Sequence, residues 1–120
     1  MQAFLNGSFV ELADAKVAAL DAGFQHAVGL FETMLGGVKG GDGGGEAWVV
    51  GLDEHCERLA NSAAELGLSP DLRAAALADA VMATVSKAGL ARARVRMTVT
   101  GGDLNLLARC GRDGGERGQS

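Results

Sequence analysis

Two periods govern the apolar positions of this chain. From Ala91 to Thr100 they alternate. Ala93, Val95, Met97 and Val99 fall on one side, and Arg92, Arg94, Arg96, Thr98 and Thr100 on the other, the spacing of a strand. From Leu52 to Leu66 the period is helical, with Leu52, Cys56, Leu59, Ala63 and Leu66 on one face. His55, Arg58, Ser62 and Glu65 share a neighbouring polar stripe, and Gly67 is placed to end the helix as a C-cap. Ser69 is predicted to N-cap a second helix with Pro70 at its first position. Leu77, Val81, Val85 and Ala88 form the expected buried face of that helix, and Gly89 stops it. Gly29 to Val38 reads as a further strand. Leu30, Glu32 and Met34 lie on one of its faces and Phe31, Thr33 and Leu35 on the other. Both faces are largely apolar, which predicts a central strand covered on two sides.

The remaining segments are shorter. Phe4 to Val10 reads as a hairpin, because Asn6-Gly7 accepts the positive φ angles of a type I′ turn. Glu11 to Leu20 is alanine-rich and mostly irregular. In Asp21 to Val28, Gly23 suggests a tight backbone turn or a close approach. Gly36 to Gly45 holds seven glycines in ten residues without the spacing of a phosphate cradle, and is read as a flexible hairpin tip. Ala47 to Val50 pairs back as a short strand anchored by Trp48. Leu104, Leu106 and Leu107 are the last apolar cluster, and Arg109 to Ser120 is glycine and charge. These elements predict an α+β fold: a two-layer sandwich with two main helices on one face of a mixed or antiparallel sheet of five or six strands.

Composition narrows the function classes. The 120 residues suffice for one core or for part of a larger protein. A net charge of −4, from 11 basic and 15 acidic residues, disfavours non-specific nucleic-acid binding. No apolar run approaches the roughly 20 residues of a membrane span. The N-terminus lacks the basic and apolar regions of a signal peptide. Cys56 and Cys110 form neither a metal nor a redox spacing. A cytoplasmic protein is expected, with no metal.

Two motifs carry the candidate chemistry. The first is Asp21-Ala-Gly-Phe-Gln-His-Ala-Val-Gly-Leu-Phe-Glu-Thr33, and the second is Leu52-Asp-Glu-His-Cys-Glu-Arg-Leu59. In this order and at this distance they resemble the N-terminal domain of the class IV (fold-type IV) pyridoxal-phosphate-dependent aminotransferases. That family includes branched-chain and D-amino-acid aminotransferases and the aminodeoxychorismate lyases. The resemblance covers residues 1–108 and implies the small domain of such an enzyme. Residues 109–120 would then be a linker or tail.

The resemblance assigns roles residue by residue. An arginine on a helix is most often a solvated charge. Arg58, however, occupies the arginine of the family's His-x-x-Arg-Leu motif, which contacts the phosphate of pyridoxal 5′-phosphate. A guanidinium can grip a phosphate with two parallel hydrogen bonds. His55 matches the histidine of that motif and is expected to brace the helix against the cofactor-side loop. Arg96 matches a substrate-carboxylate arginine on the strand entering Gly101-Gly102-Asp103. Phe31 matches an aromatic lining the substrate pocket. His26 stands where the family commonly has a pocket tyrosine; it is either a replacement donor or structural. The chemistry also needs a lysine that holds the cofactor and shuttles the substrate proton. Lys16, Lys39 and Lys87 lie in no matching motif. No catalytic residue is therefore assigned, and the lysine is expected in a C-terminal domain outside this chain.

The function so implied is one half of an aminotransferase acting on amino acids and 2-oxo acids, inactive alone and homodimeric when complete. A half of an aminodeoxychorismate lyase-like enzyme, or a non-catalytic binding or dimerisation module, are the alternatives.

Overall fold

The computed structural model describes residues 2–27, 29–40, 45–68 and 72–102. Strand β1 (Gln2–Leu5) and strand β2 (Ser8–Glu11) form an antiparallel hairpin in which Leu5 faces Ser8. Asn6 and Gly7 turn it with φ of 50° and 92°, the signs a type I′ turn requires. A single 3-10 turn, Leu12–Asp14, then leads through an irregular stretch to helix α1 (Ala22–His26).

The main sheet has three strands in the order β4-β3-β5, with both pairings antiparallel. Strand β3 (Gly29–Val38) is its centre. Strand β5 (Ala93–Thr100) pairs with β3 from Gly29↔Thr100 to Gly36↔Ala93. Strand β4 (Ala47–Val49) pairs only with the end of β3, from Gly36↔Val49 to Val38↔Ala47. Helices α2 (Leu52–Glu65) and α3 (Ala74–Ala88) pack against this sheet and each other. Met34, Val38, Val81 and Val85 are buried where they meet, with Val49, Leu52, Val95 and Met97 packed around them. Cys56, Leu59, Ala60 and Ala63 are the buried face of α2. The α+β class, antiparallel pairing and helical layer agree with the sequence reading.

Several details differ. The five strands of the described residues fall into two sheets, not one. Strand β3 is central in order but, among the described residues, covered on one face only. Met34 is 2% exposed, whereas Phe31 on the opposite face is 57% exposed. The glycine-rich loop starts later than its composition suggests, because Gly36 and Gly37 are buried strand residues. A Cβ on Gly37 would stand 2.2 Å from the Ala91 carbonyl oxygen, so glycine lets the chain entering β5 cross there. Helix α3 begins at Ala74 behind Arg73. The predicted caps Ser69 and Pro70 lie outside the described residues, as do Val28, the loop residues 41–44 and everything from Asp103 onward. Gly67 and Gly89 do adopt left-handed φ at the ends of α2 and α3. Leu66 and Ala88, expected on buried faces, are exposed.

Candidate functional site

The alternation of β3 places neighbouring residues on opposite sides of the sheet. Glu32 faces the helical layer, between Leu30 and Met34. An inward carboxylate there must find partners, because water reaches only part of it. Helix α2 supplies two, His55 and Arg58, which are three residues apart and share one helix face. Glu32 Oε1 lies 2.5 Å from His55 Nδ1, and Glu32 Oε2 lies 3.4 Å from Arg58 Nε. A carboxylate can only accept, so Nδ1 donates. The Glu32 side chain is 16% exposed and that of Arg58 61% exposed. One end of Arg58 is therefore tied to the strand, while most of the side chain stays open to solvent. The family resemblance has His55 bracing α2 against the cofactor-side loop; in the structure it braces α2 against strand β3.

On the outer face the partners differ. Phe31 is opposite Thr98, Thr33 opposite Arg96 and Leu35 opposite Arg94. The Arg96 guanidinium carbon lies 4.1 Å from the centroid of the Phe31 ring, a cation–π contact. The candidate substrate residues Phe31 and Arg96 are thus in contact. Arg58 meets β3 through Glu32, on the other face, so the two candidate arginines flank one strand from opposite sides.

The Asp-x-Gly of the first motif has a structural function. Asp21 caps α1 by accepting from the Gly23 backbone at 2.7 Å. Its other oxygen accepts from the Thr100 hydroxyl at 2.9 Å, at the end of β5. The Ala22 N–H donates to the Gly102 carbonyl at 2.8 Å. A Cβ on Gly23 would come within 2.5 Å of the Thr100 methyl, so the glycine lets α1 lie against β5. His26 is exposed on the last residue of α1 and, among the described residues, makes no hydrogen bond or ion pair with Phe31 or Arg96.

Burial raises the Cys56 thiol above its ordinary pKa, with the Asp53 and Glu32 carboxylates adding to the shift. Lys16 and Lys39 are exposed, and Lys87 Nζ lies 5.2 Å from the centroid of the Phe9 ring. None of the three pairs with the Glu32 cluster. Among the described residues no group of three or more His, Cys, Asp or Glu side chains could hold a metal ion. An open, mainly apolar groove of about 580 Å³ lies between β1, α3 and β5, and neither His55 nor Arg58 lines it. Sequence reasoning matched Glu32, with Phe31, to the family's Phe-Glu pair but gave it no role of its own. The signal that Glu32 carries is an acidic side chain on the face otherwise made by Leu30 and Met34.

Comparison with known proteins places the chain in a family. The family model described as "Amino-transferase class IV" matches residues 29–113. A relative described as "Putative branched-chain-amino-acid aminotransferase", from Methanocaldococcus jannaschii, is 37% identical over 115 residues. That match takes in 93% of this chain and 37% of the relative. Among solved structures, the branched-chain aminotransferase of Thermoproteus uzoniensis with norvaline is similar at 27% identity and a TM-score of 0.62. It matches 78% of this chain and 30% of that one. The branched-chain amino acid aminotransferase of Escherichia coli is similar at 25% identity and a TM-score of 0.67. Here 82% of this chain and 31% of the other are matched. The chain thus spans about a third of the length of these relatives. It belongs to the class IV amino-transferase family, whose members are pyridoxal-phosphate-dependent.

Proposed function

We propose that residues 1–108 are the N-terminal, cofactor-facing domain of an aminotransferase that moves an amino group between an amino acid and a 2-oxo acid. The observation that carries this reading is Arg58, tied to the strand through Nε and otherwise open to solvent. That donor set fits the phosphate end of pyridoxal 5′-phosphate, since a guanidinium offers a planar pair of donors to a dianion. When bound, the cofactor supplies the electron sink for amino-group transfer. Arg58 binds its phosphate, and His55 with Glu32 keeps that part of α2 against β3. Arg96 takes the substrate carboxylate and Phe31 packs against the substrate side chain, with His26 at the margin. Lys16 and Lys39 are exposed and Lys87 lies over Phe9, none of them beside Arg58, so in this reading the proton-shuttling lysine comes from a C-terminal domain joined through residues 109–120. The complete enzyme is a cytoplasmic homodimer in this reading, and the exposed Phe31 and Leu35 support a covered outer face.

The test compares this chain with the same chain extended into a lysine-bearing C-terminal domain. Mixed with pyridoxal phosphate, an amino acid and a 2-oxo acid, the chain alone gives no amino transfer, whereas the extended protein does. Amino transfer by the isolated chain, with Lys39 or Lys87 trapped by borohydride reduction, contradicts the reading.

A further inference from the structure

We infer that Glu32 is a positioning residue for Arg58: it holds Nε and so aims the remaining guanidinium nitrogens at a phosphate. The inference rests on the reading of Arg58 as a phosphate anchor. An arginine side chain loses considerable rotamer freedom when it is fixed. Without a second contact, that loss falls on the binding step. Here the fixing is done before any ligand arrives. Glu32 stands on the central strand, and both its oxygens are engaged, one by His55 and one by Arg58. His55 immobilises the carboxylate and the carboxylate orients the guanidinium. Nε is the atom spent, which leaves the two terminal nitrogens as the fork. Pre-ordering of this kind raises affinity by lowering the ordering cost of binding.

A plain charge effect predicts the opposite sign. By charge alone, the Glu32 carboxylate repels a dianionic phosphate held about 8 Å away, beyond the guanidinium, by about 1 kcal/mol in water. If charge alone mattered, Glu32→Gln would tighten phosphate binding about fivefold. If positioning matters, Glu32→Gln weakens it although a negative charge has been removed.

The experiment uses the 120-residue chain and has two arms. The first needs no ligand: hydrogen exchange and order of the Arg58 Nε–H are measured by NMR, with exposed Arg94 as the internal reference. Arg58 is expected to exchange at least about tenfold more slowly than Arg94, and Glu32→Gln to abolish the difference. Arg58 exchanging as fast as Arg94 in the wild type, or staying protected in Glu32→Gln, overturns the inference. His55→Ala keeps the carboxylate but removes its brace. It is expected to lower the protection of Arg58, and it decides the matter should Glu32→Gln fail to fold. Full protection in a folded His55→Ala chain overturns the inference. In the second arm pyridoxine 5′-phosphate, which lacks the aldehyde and needs no lysine, is titrated into wild type, Glu32→Gln and Arg58→Ala. Weaker binding by both variants supports the inference. Weaker binding by Arg58→Ala with unchanged or tighter binding by Glu32→Gln overturns the positioning role alone. Unchanged binding by Arg58→Ala removes the phosphate reading itself.

Discussion

At the scale of single residues, the stacked pair of Arg96 and Phe31 and the buried Cys56 allow separate predictions. Arg96 lies over Phe31 on a solvent-facing sheet surface, so it is ordered yet open. Losing one charge-assisted contact to a carboxylate costs about 1.5–3 kcal/mol. In the complete enzyme, Arg96→Ala is expected to raise the amino-acid KM or lower kcat/KM by that amount, with cofactor retention unchanged. Unaltered steady-state kinetics would remove Arg96 from the substrate site. Cys56 is fully buried, and its pKa lies above the ordinary cysteine value. The folded state therefore keeps its proton at a pH where an unfolded cysteine, with a pKa of about 8.5, has released it. The stabilisation tied to this thiol is complete below that pH and is lost as the pH rises through the folded-state value. In a Cys110→Ser chain, reaction of Cys56 with a thiol reagent at pH 8 should wait for unfolding. Urea midpoints should fall more steeply above about pH 9 than those of a Cys56→Ala, Cys110→Ser chain. Rapid labelling of the native protein would contradict this placement.

Among the elements, those legible in the sequence have an unbroken period. Strand β5 and helix α2 are legible from spacing, although β5 begins at Ala93 rather than Ala91 and α2 ends at Glu65 rather than Leu66. Helix α1 is not legible: five residues are too few to show a period, and Gly23 within it signals a turn. The division of the strands into two sheets is hidden too, because pairing partners far apart in sequence leave no local trace. Gly36 and Gly37 belong to the strand for a reason found only in the packing, the approach of the Trp48 and Ala91 backbones. Gly37→Ala should therefore destabilise the chain by roughly 1–3 kcal/mol, the usual cost of overpacking. A urea unfolding curve checks it, and a midpoint equal to wild type would show that this crossing is looser than it looks. In the candidate site, the motif spacing of His55 and Arg58 is readable. Their common partner is not, because a contact across 23 residues depends on how α2 lies on β3.

At the scale of the whole molecule, the helices cover one side of the sheet and leave the other open. Phe31 is 57% exposed and Leu35 36% exposed there, beside Arg94 and Arg96. In the proposed homodimer these side chains would lie on a covered surface. Sedimentation of the isolated chain is expected to show self-association that rises with concentration, and Phe31→Ser should reduce it. A clean monomer at high concentration would speak against a covered outer face. The central claim concerns the opposite side of β3, where Arg58 is expected to hold the cofactor phosphate. Its most direct test is equilibrium dialysis of pyridoxal phosphate against the complete enzyme and its Arg58 variants. Arg58→Ala should weaken retention by about 1.5–3 kcal/mol, and Arg58→Lys should restore only part of it, because a point charge replaces a fork. Retention equal to wild type in Arg58→Ala would contradict the account.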